Sequence, residues 1–204
     1  MRITVIGATR GIGRKAVEYA LERGHHVRAF ARSADRIEIE DSRLEKMPGD
    51  ATDPEAVARA VAGADAVLLT LGVPRDWRAL KATTLFSSAT QVLIPAMQAA
   101  GVKRLLTVTG FGAGDSEAKL SRLEKIPFKL ILGRAYADKA VQEDMIKASD
   151  LDWTIARPGI LNDNRMTGRY QVLVEPETWR QGLMGRADVA HFLVHAAEGG
   201  TYIG

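Results

Sequence analysis

Near the start of the chain, Gly7-Ala8-Thr9-Arg10-Gly11-Ile12-Gly13 sets three glycines at the spacing that lets backbone wrap a pyrophosphate. In such a loop Gly7 suits a tight turn off a strand, Gly11 lets backbone approach the phosphates, and Gly13 lets the next helix pack closely on the sheet. Thr9, Arg10 and Ile12 belong to the same wrap. The helix that follows then offers free amides and a positive dipole end to an anion. Further on, Arg32 and Arg36, with Arg10 from the loop, give three guanidinium groups that can converge on a 2′-phosphate, a ligand that planar, permanently charged guanidinium suits. An acid at the end of the second strand would instead select NAD through its ribose hydroxyls. Asp35 comes only later, in the loop. The expected dinucleotide is therefore NADP(H), preferred over NAD(H).

These residues need a βαβ unit to hold them. Ile3-Thr4-Val5-Ile6 reads as the first strand, Val17, Ala20 and Leu21 fall at helical spacing, Gly24 stops the helix, and Val27 to Ala31 is the second strand. Strands then alternate with helices. Leu44 to Met47 is a short strand leading to Gly49-Asp50. Pro54 to Val61 is a helix opened by Asp53 as N-cap, with Pro54 at its first position. Ala64 to Gly72 is a strand apolar enough to be buried on both faces. A long helix is predicted from about Trp77 to Ala100, a strand from Val102 to Thr109, and a helical region to about Ser149, interrupted near Ile126-Pro127. Trp153 to Ala156 is a sixth strand, Arg169 to Val174 a short further one, and Asp188 to Ala197 the last helix. Thr201-Tyr202-Ile203 looks like the start of another strand. The pattern predicts an α/β fold, a Rossmann-type doubly wound parallel sheet in a single domain over residues 1–204. A small substrate-side region is expected at about 110–135 and 158–186.

In such a sheet the ligand lies beyond the carboxyl ends of the strands, where strand order reverses. The loops that matter begin at Gly7, Gly72, Gly110 and Arg157-Pro158-Gly159. Asp50, followed by Ala51, is placed to bond an adenine amino group, or equally to serve as a turn residue. Phe111 is the aromatic placed to cover a nicotinamide.

The 204 residues give one domain with a full core. The hydrophobic fraction is 46%, and the net charge of +3 has both signs interspersed, so nucleic acid is not implied despite a pI near 9.3. With no cysteine, disulfides, thiol catalysis and cysteine-ligated zinc are excluded. His191 and His195 lie four apart on the last helix and His25-His26 are adjacent; packing is the reading for these, and no metal is expected. No run is long enough to span a bilayer, and the first strand begins at once, so a cytoplasmic location with no membrane partner is expected.

At this point the chain resembles the short-chain dehydrogenase superfamily, in its atypical NAD(P)H-binding branch, which includes biliverdin reductase B, also called flavin reductase. The matching residues are Gly7-Ala8-Thr9, Arg32 with Arg36, Gly49-Asp50, Leu71-Gly72 with Arg75-Asp76, Gly101 to Arg104, Ser149 to Thr154, Thr167-Gly168 with Tyr170, and Asp188 to Phe192. The resemblance implies a dinucleotide lying across Gly7 to Gly13, Arg32, Arg36, Asp50, Leu71, Gly72 and Arg75, with Pro158 at its nicotinamide end. Complete members of the superfamily use Ser, then Tyr with Lys four residues later, the phenol giving a proton to a carbonyl. Here the candidates are Thr109, Tyr136 and Lys139, and Tyr and Lys are three apart. Lys139 is also expected to reach the nicotinamide ribose. Gly110 and Gly159 stand where biliverdin reductase B carries a serine and a histidine near substrate, which predicts an open site for a flat ligand.

The leading expectation is an NADPH-dependent reductase of planar conjugated acceptors of the flavin or quinone type, because a stacked ring needs little beyond positioning. The alternative is an NADPH-sensing regulatory protein of NmrA-like type, favoured by the altered Tyr–Lys spacing. Epimerase or dehydratase chemistry would need a larger C-terminal substrate domain. The partner expected is a small-molecule acceptor, and the protein a monomer or small homo-oligomer.

Overall fold

The computed structural model describes residues 1–72, 84–120 and 122–204, with 122–132 described by backbone alone. Six parallel strands, β1 (Arg2–Ile6), β2 (His26–Ala31), β3 (Leu44–Pro48), β4 (Ala66–Leu69), β5 (Arg104–Val108) and β6 (Asp152–Ala156), form one sheet in the order β3-β2-β1-β4-β5-β6. Strand order reverses between β1 and β4, so a crevice opens at their carboxyl ends. Their register places Ile6 beside both Phe30 and Leu69, so the loop after β1 leaves the sheet level with its neighbours.

Helices α1 (Gly11–Glu22) and α5 (Arg186–Gly199) cover one face. Helices α2 (Pro54–Val61), α3 (Leu85–Ala99) and α4 (Arg122–Lys147) lie on the other. Both faces being covered explains why β4 is apolar at every position and wholly buried. On the first face Ala16, Val17, Ala20 and Leu21 of α1 meet Val189, Leu193 and Val194 of α5 over Ile3 and Val5. On the second, Val57, Val61, Leu93, Met97 and Ile146 close over Val67, Leu69 and Leu105. Helix α2 starts as its sequence predicts, the Asp53 carboxylate accepting the amides of Glu55 and Ala56 with Pro54 in the first turn. Such a cap contributes about 1 kcal/mol.

Three expectations change, and two short strands appear for which the sequence made no prediction. Arg169–Val174 is not a strand: Tyr170 and Gln171 turn instead to His191 (2.7 Å) and Arg180 (2.6 Å), and no strand among the described residues pairs with the segment. Two short strands, β7 (Ile160–Asn162) and β8 (Leu183–Gly185), pair in parallel outside the main sheet. Residues 201–203 form no strand either; the tail runs beside β6 on single bonds, Thr154 Oγ1 to the Tyr202 carbonyl (2.7 Å) and the Gly204 amide to the Trp153 carbonyl (3.1 Å). Helix α4 passes through Ile126-Pro127 without a break. Helix α3 is described from Leu85; its predicted start near Trp77 lies outside the described residues, as do Arg75 and Asp76.

The irregular segment 163–182 is pinned to α5. The Asp188 carboxylate accepts the amides of Thr167 (2.8 Å) and Gly168 (2.9 Å). His191 and His195 pack among aromatic rings between α1 and α5, with Tyr19 stacked on His191 at 5.0 Å and its hydroxyl 2.8 Å from His195. No helix among the described residues is long and apolar enough to cross a membrane.

Candidate active site

The glycine loop sits in the crevice beside β4. Gly7 has φ +90°, and its amide donates to the Phe30 carbonyl at 2.9 Å. A Cβ on Gly13 would collide with the Gly7 carbonyl and the Thr70 hydroxyl, so the start of α1 lies directly on the turn. Gly11 has φ +59°, a conformation costly to any residue with a Cβ, and the space beside it is open as far as the Arg186 side chain, 3.9 Å away. Helix α1 has no side-chain cap and no acid in its first turn. The first amides of a helix have no intrahelical partner, so those of Gly11, Ile12 and Gly13 remain for a ligand. In α2 the same groups are consumed by Asp53.

Around this loop the cations are unspent. Arg10, Arg32 and Arg36 are exposed, and none forms an ion pair among the described residues. Asp50 caps its own turn, accepting from the amide (2.9 Å) and hydroxyl (2.8 Å) of Thr52. Those two bonds, helped by the nearby Arg32 charge, hold its carboxyl below the usual range. Ala51 is half-buried against the sheet, as is Leu71, and nothing stands within 4 Å of the Cβ position of Gly72.

At the end of β5 the polar groups are spent on one another. Thr109 Oγ1 donates to Glu143 (2.6 Å), a fully buried carboxylate that also accepts from Nε (3.0 Å) and the terminal nitrogen (2.6 Å) of Arg157. Arg157 bonds Asp115 at 2.6 Å as well, and Asp115 meets Lys147. Burial works against the Arg157 charge, yet its bonds to Glu143 and Asp115 outweigh this and hold the guanidinium above its ordinary range. Lys139, also buried, donates to the carbonyls of Thr109 (2.7 Å) and Val108 (3.2 Å) and lies 4.4 Å over the Phe86 ring. Burial pushes this amine down to about 8, although Glu143 and Asp138 pull the other way. Asp138 in turn accepts the Phe86 amide (2.8 Å) and bonds Ser87, capping α3 from the neighbouring helix.

Tyr136 completes the group. Its hydroxyl occupies the place a side chain on Gly110 would need, and burial raises the phenol above its ordinary value, so it stays protonated at neutral pH. Tyr136 also lines a cavity of about 440 Å³ with Gly112, Gly114, Glu117, Arg134 and Ala137, a size suited to a small organic molecule. The structure thus brings Thr109, Gly110, Tyr136 and Lys139 together at one strand end. Two expectations about openness fail. The space beside Gly110 is filled by Tyr136, and that beside Gly159 by the Gly182 backbone, which bonds the Ile160 amide at 2.8 Å. Phe111 is 6% exposed, its amide held by the Pro158 carbonyl at 2.9 Å, so it forms wall rather than platform.

Glu143 and Asp115 were not singled out from the sequence, and Arg157 was named there only as the start of the loop after the sixth strand. Glu143 had a readable signal, since Tyr136, Lys139 and Glu143 at i, i+3 and i+7 share one helix face. The others have none, because distant segments bring them in.

Against known proteins, the family model described as NAD(P)H-binding matches residues 7–199. The uncharacterized protein YwnB of Bacillus subtilis is 30% identical over 84% of this chain and 78% of its own. The uncharacterized sugar epimerase YhfK of the same organism is 28% identical over 95% and 86%. Among solved structures, ChuY, an anaerobilin reductase from Escherichia coli O157:H7, is 28% identical, covers 97% of this chain and 90% of its own, and superposes with a TM-score of 0.76.

Proposed function

The chain belongs to this NAD(P)H-binding oxidoreductase family, and we propose that it is an NADPH-dependent reductase of a planar, conjugated acceptor of the flavin or quinone type. The observation that carries the reading is the contrast of unspent donors at the glycine loop with a cavity at Tyr136. The site fits a dinucleotide on its own geometry, because α1 is uncapped and Gly72 leaves open space where strand order reverses. Gly7 to Gly13 would hold the pyrophosphate, and Arg32 and Arg36 with Arg10 the 2′-phosphate. Asp50 and Ala51 would take the adenine end. Leu71, Gly72, Thr109, Lys139 and Pro158 would line the nicotinamide half. When bound, the cofactor supplies hydride to the acceptor.

The protein's own residues mostly position. The Thr109 hydroxyl donates its hydrogen bond to Glu143 and the Lys139 amine donates to two carbonyls, so neither is free to act on substrate as placed. Tyr136 holds a proton at the cavity wall, but a conjugated acceptor can take one from water, and the protein's share of the acceleration is then orientation. The relative described as an anaerobilin reductase supports a reductase reading for a chain of this length.

The committed state of Thr109 and Lys139 also favours a second reading, an NADPH sensor that does not turn over. Fluorescence titration with NADPH and NADH, followed by a panel of flavins, quinones and aldehydes, separates the two. Tight NADPH binding with turnover of flavins or quinones supports the reductase; tight binding with no turnover of any acceptor supports the sensor; preference for NADH overturns both.

A further inference from the structure

Beyond the reductase reading, and resting on it for the identity of the cavity, we infer that Glu143 is a positioning residue that shapes the acceptor site by tying its loops to α4. Three segments at the carboxyl edge of the sheet converge on this carboxylate. Thr109, at the end of β5, donates to it at 2.6 Å. Arg157, just after β6, grips it with two nitrogens. The turn at Gly114 (φ +51°) runs so close that a Cβ there would press on the carboxylate oxygen. Arg157 passes the restraint outward, to Asp115 at 2.6 Å and to the Trp179 ring 5.0 Å away.

The cavity depends on what is tied. Gly112, Gly114 and Glu117 form one wall, and Tyr136, Ala137 and Ala140 of α4 the other. Glu143 lies two turns along α4 from Tyr136, with its side chain fully buried. It therefore reaches the acceptor only through the loop it restrains. A fork of Arg on carboxylate fixes orientation as well as distance, so the carboxylate sets the width of the slot between loop and helix. Among the described residues, no hydrogen bond or ion pair joins the dinucleotide loop, Gly7 to Gly13, to this network.

The test compares wild type with Glu143→Gln, an isostere that keeps an acceptor for Thr109 and loses the charge. Amide hydrogen exchange is read beside the KM for FMN and menadione and the Kd for NADPH. Exchange of residues 110–119 and 176–180 should rise at least about tenfold while β1 and α1 stay within about threefold. The KM for FMN should rise at least about tenfold with the NADPH Kd within about threefold. Unchanged exchange, or equal acceleration through the whole chain, overturns the proposal and leaves the pair a stability device. If Glu143→Gln does not fold, Arg157→Lys, which keeps charge but not the fork, is read the same way. A wild type that reduces neither FMN nor menadione overturns the reductase reading, and the exchange pattern then decides the tether alone.

Discussion

The two sides of the crevice treat their polar groups in opposite ways. At the glycine loop, helix amides and three arginines stand without partners among the described residues. At the end of β5, the polar groups of Thr109, Lys139, Glu143 and Arg157 are bonded to one another or to backbone. Unspent donors are costly unless water or a ligand takes them, so the first side is built to bind and the second to hold shape. On the proposed reading, the difference lets a chain with an altered Tyr–Lys spacing still hold the phosphates of a dinucleotide, because the donors for them lie apart from Tyr136 and Lys139.

The sharpest way to break this contrast is to remove one cation from each side. Arg157→Ala leaves the buried Glu143 carboxylate without its fork and should cost about 3–5 kcal/mol of stability. Arg36→Ala, at an exposed position, should shift stability by less than about 0.5 kcal/mol. Denaturant unfolding of both variants checks this, and equal losses would erase the distinction. For ligand the order reverses. Arg32→Ala removes a charge-assisted contact worth about 1.5–3 kcal/mol, so NADPH should weaken roughly ten- to a hundredfold with NADH nearly unchanged. Equal losses for the two dinucleotides would remove the 2′-phosphate assignment. Gly11→Val, forced into a left-handed conformation costing about 1–3 kcal/mol, should weaken both dinucleotides together while the fold survives, because the space beside it is open. Normal binding by that variant would mean the phosphates lie elsewhere.

The glycine loop was legible in the sequence, and so was the meeting of Thr109, Tyr136 and Lys139; the ion pair buried behind them was not. Glycine spacing, the apolar run of β1 and the Asp53-Pro54 helix start are local patterns, and local patterns survive folding here. Arg169–Val174 has strand-like composition, yet β propensity needs a neighbour to pair with, and Tyr170 finds His191 instead. Strands of three residues such as β7 and β8 carry no period to detect. Thr109 and Glu143 are 34 residues apart, and no spacing rule announces a buried ion pair between helix α4 and the loop after β6. Gly110 and Gly159 were read as openings because a missing side chain looks like space; in the fold, Tyr136 and Gly182 need that space.

Lys139 sharpens the contrast through pH. Its amine titrates near 8 in the fold against about 10.4 unfolded. Below pH 8 both states are protonated and burial of the charge penalises the fold. Between about pH 8 and 10 the unfolded chain holds more protons, so this group makes stability rise with pH. Unfolding of wild type and Lys139→Met, measured from pH 7 to 10, should show their difference moving in favour of wild type. A difference that stays flat would mean the ammonium is not desolvated.

The most direct test of the central claim, that the closed side positions rather than donates protons, is turnover of NADPH with FMN by Tyr136→Phe and Thr109→Val. Both are nearly isosteric with the native side chains. Each should retain turnover within about tenfold of wild type, well short of the hundredfold or greater loss usual when a general acid is removed. Loss of about a hundredfold or more in Tyr136→Phe, with NADPH binding intact, would contradict it and make the phenol at Gly110 the proton donor.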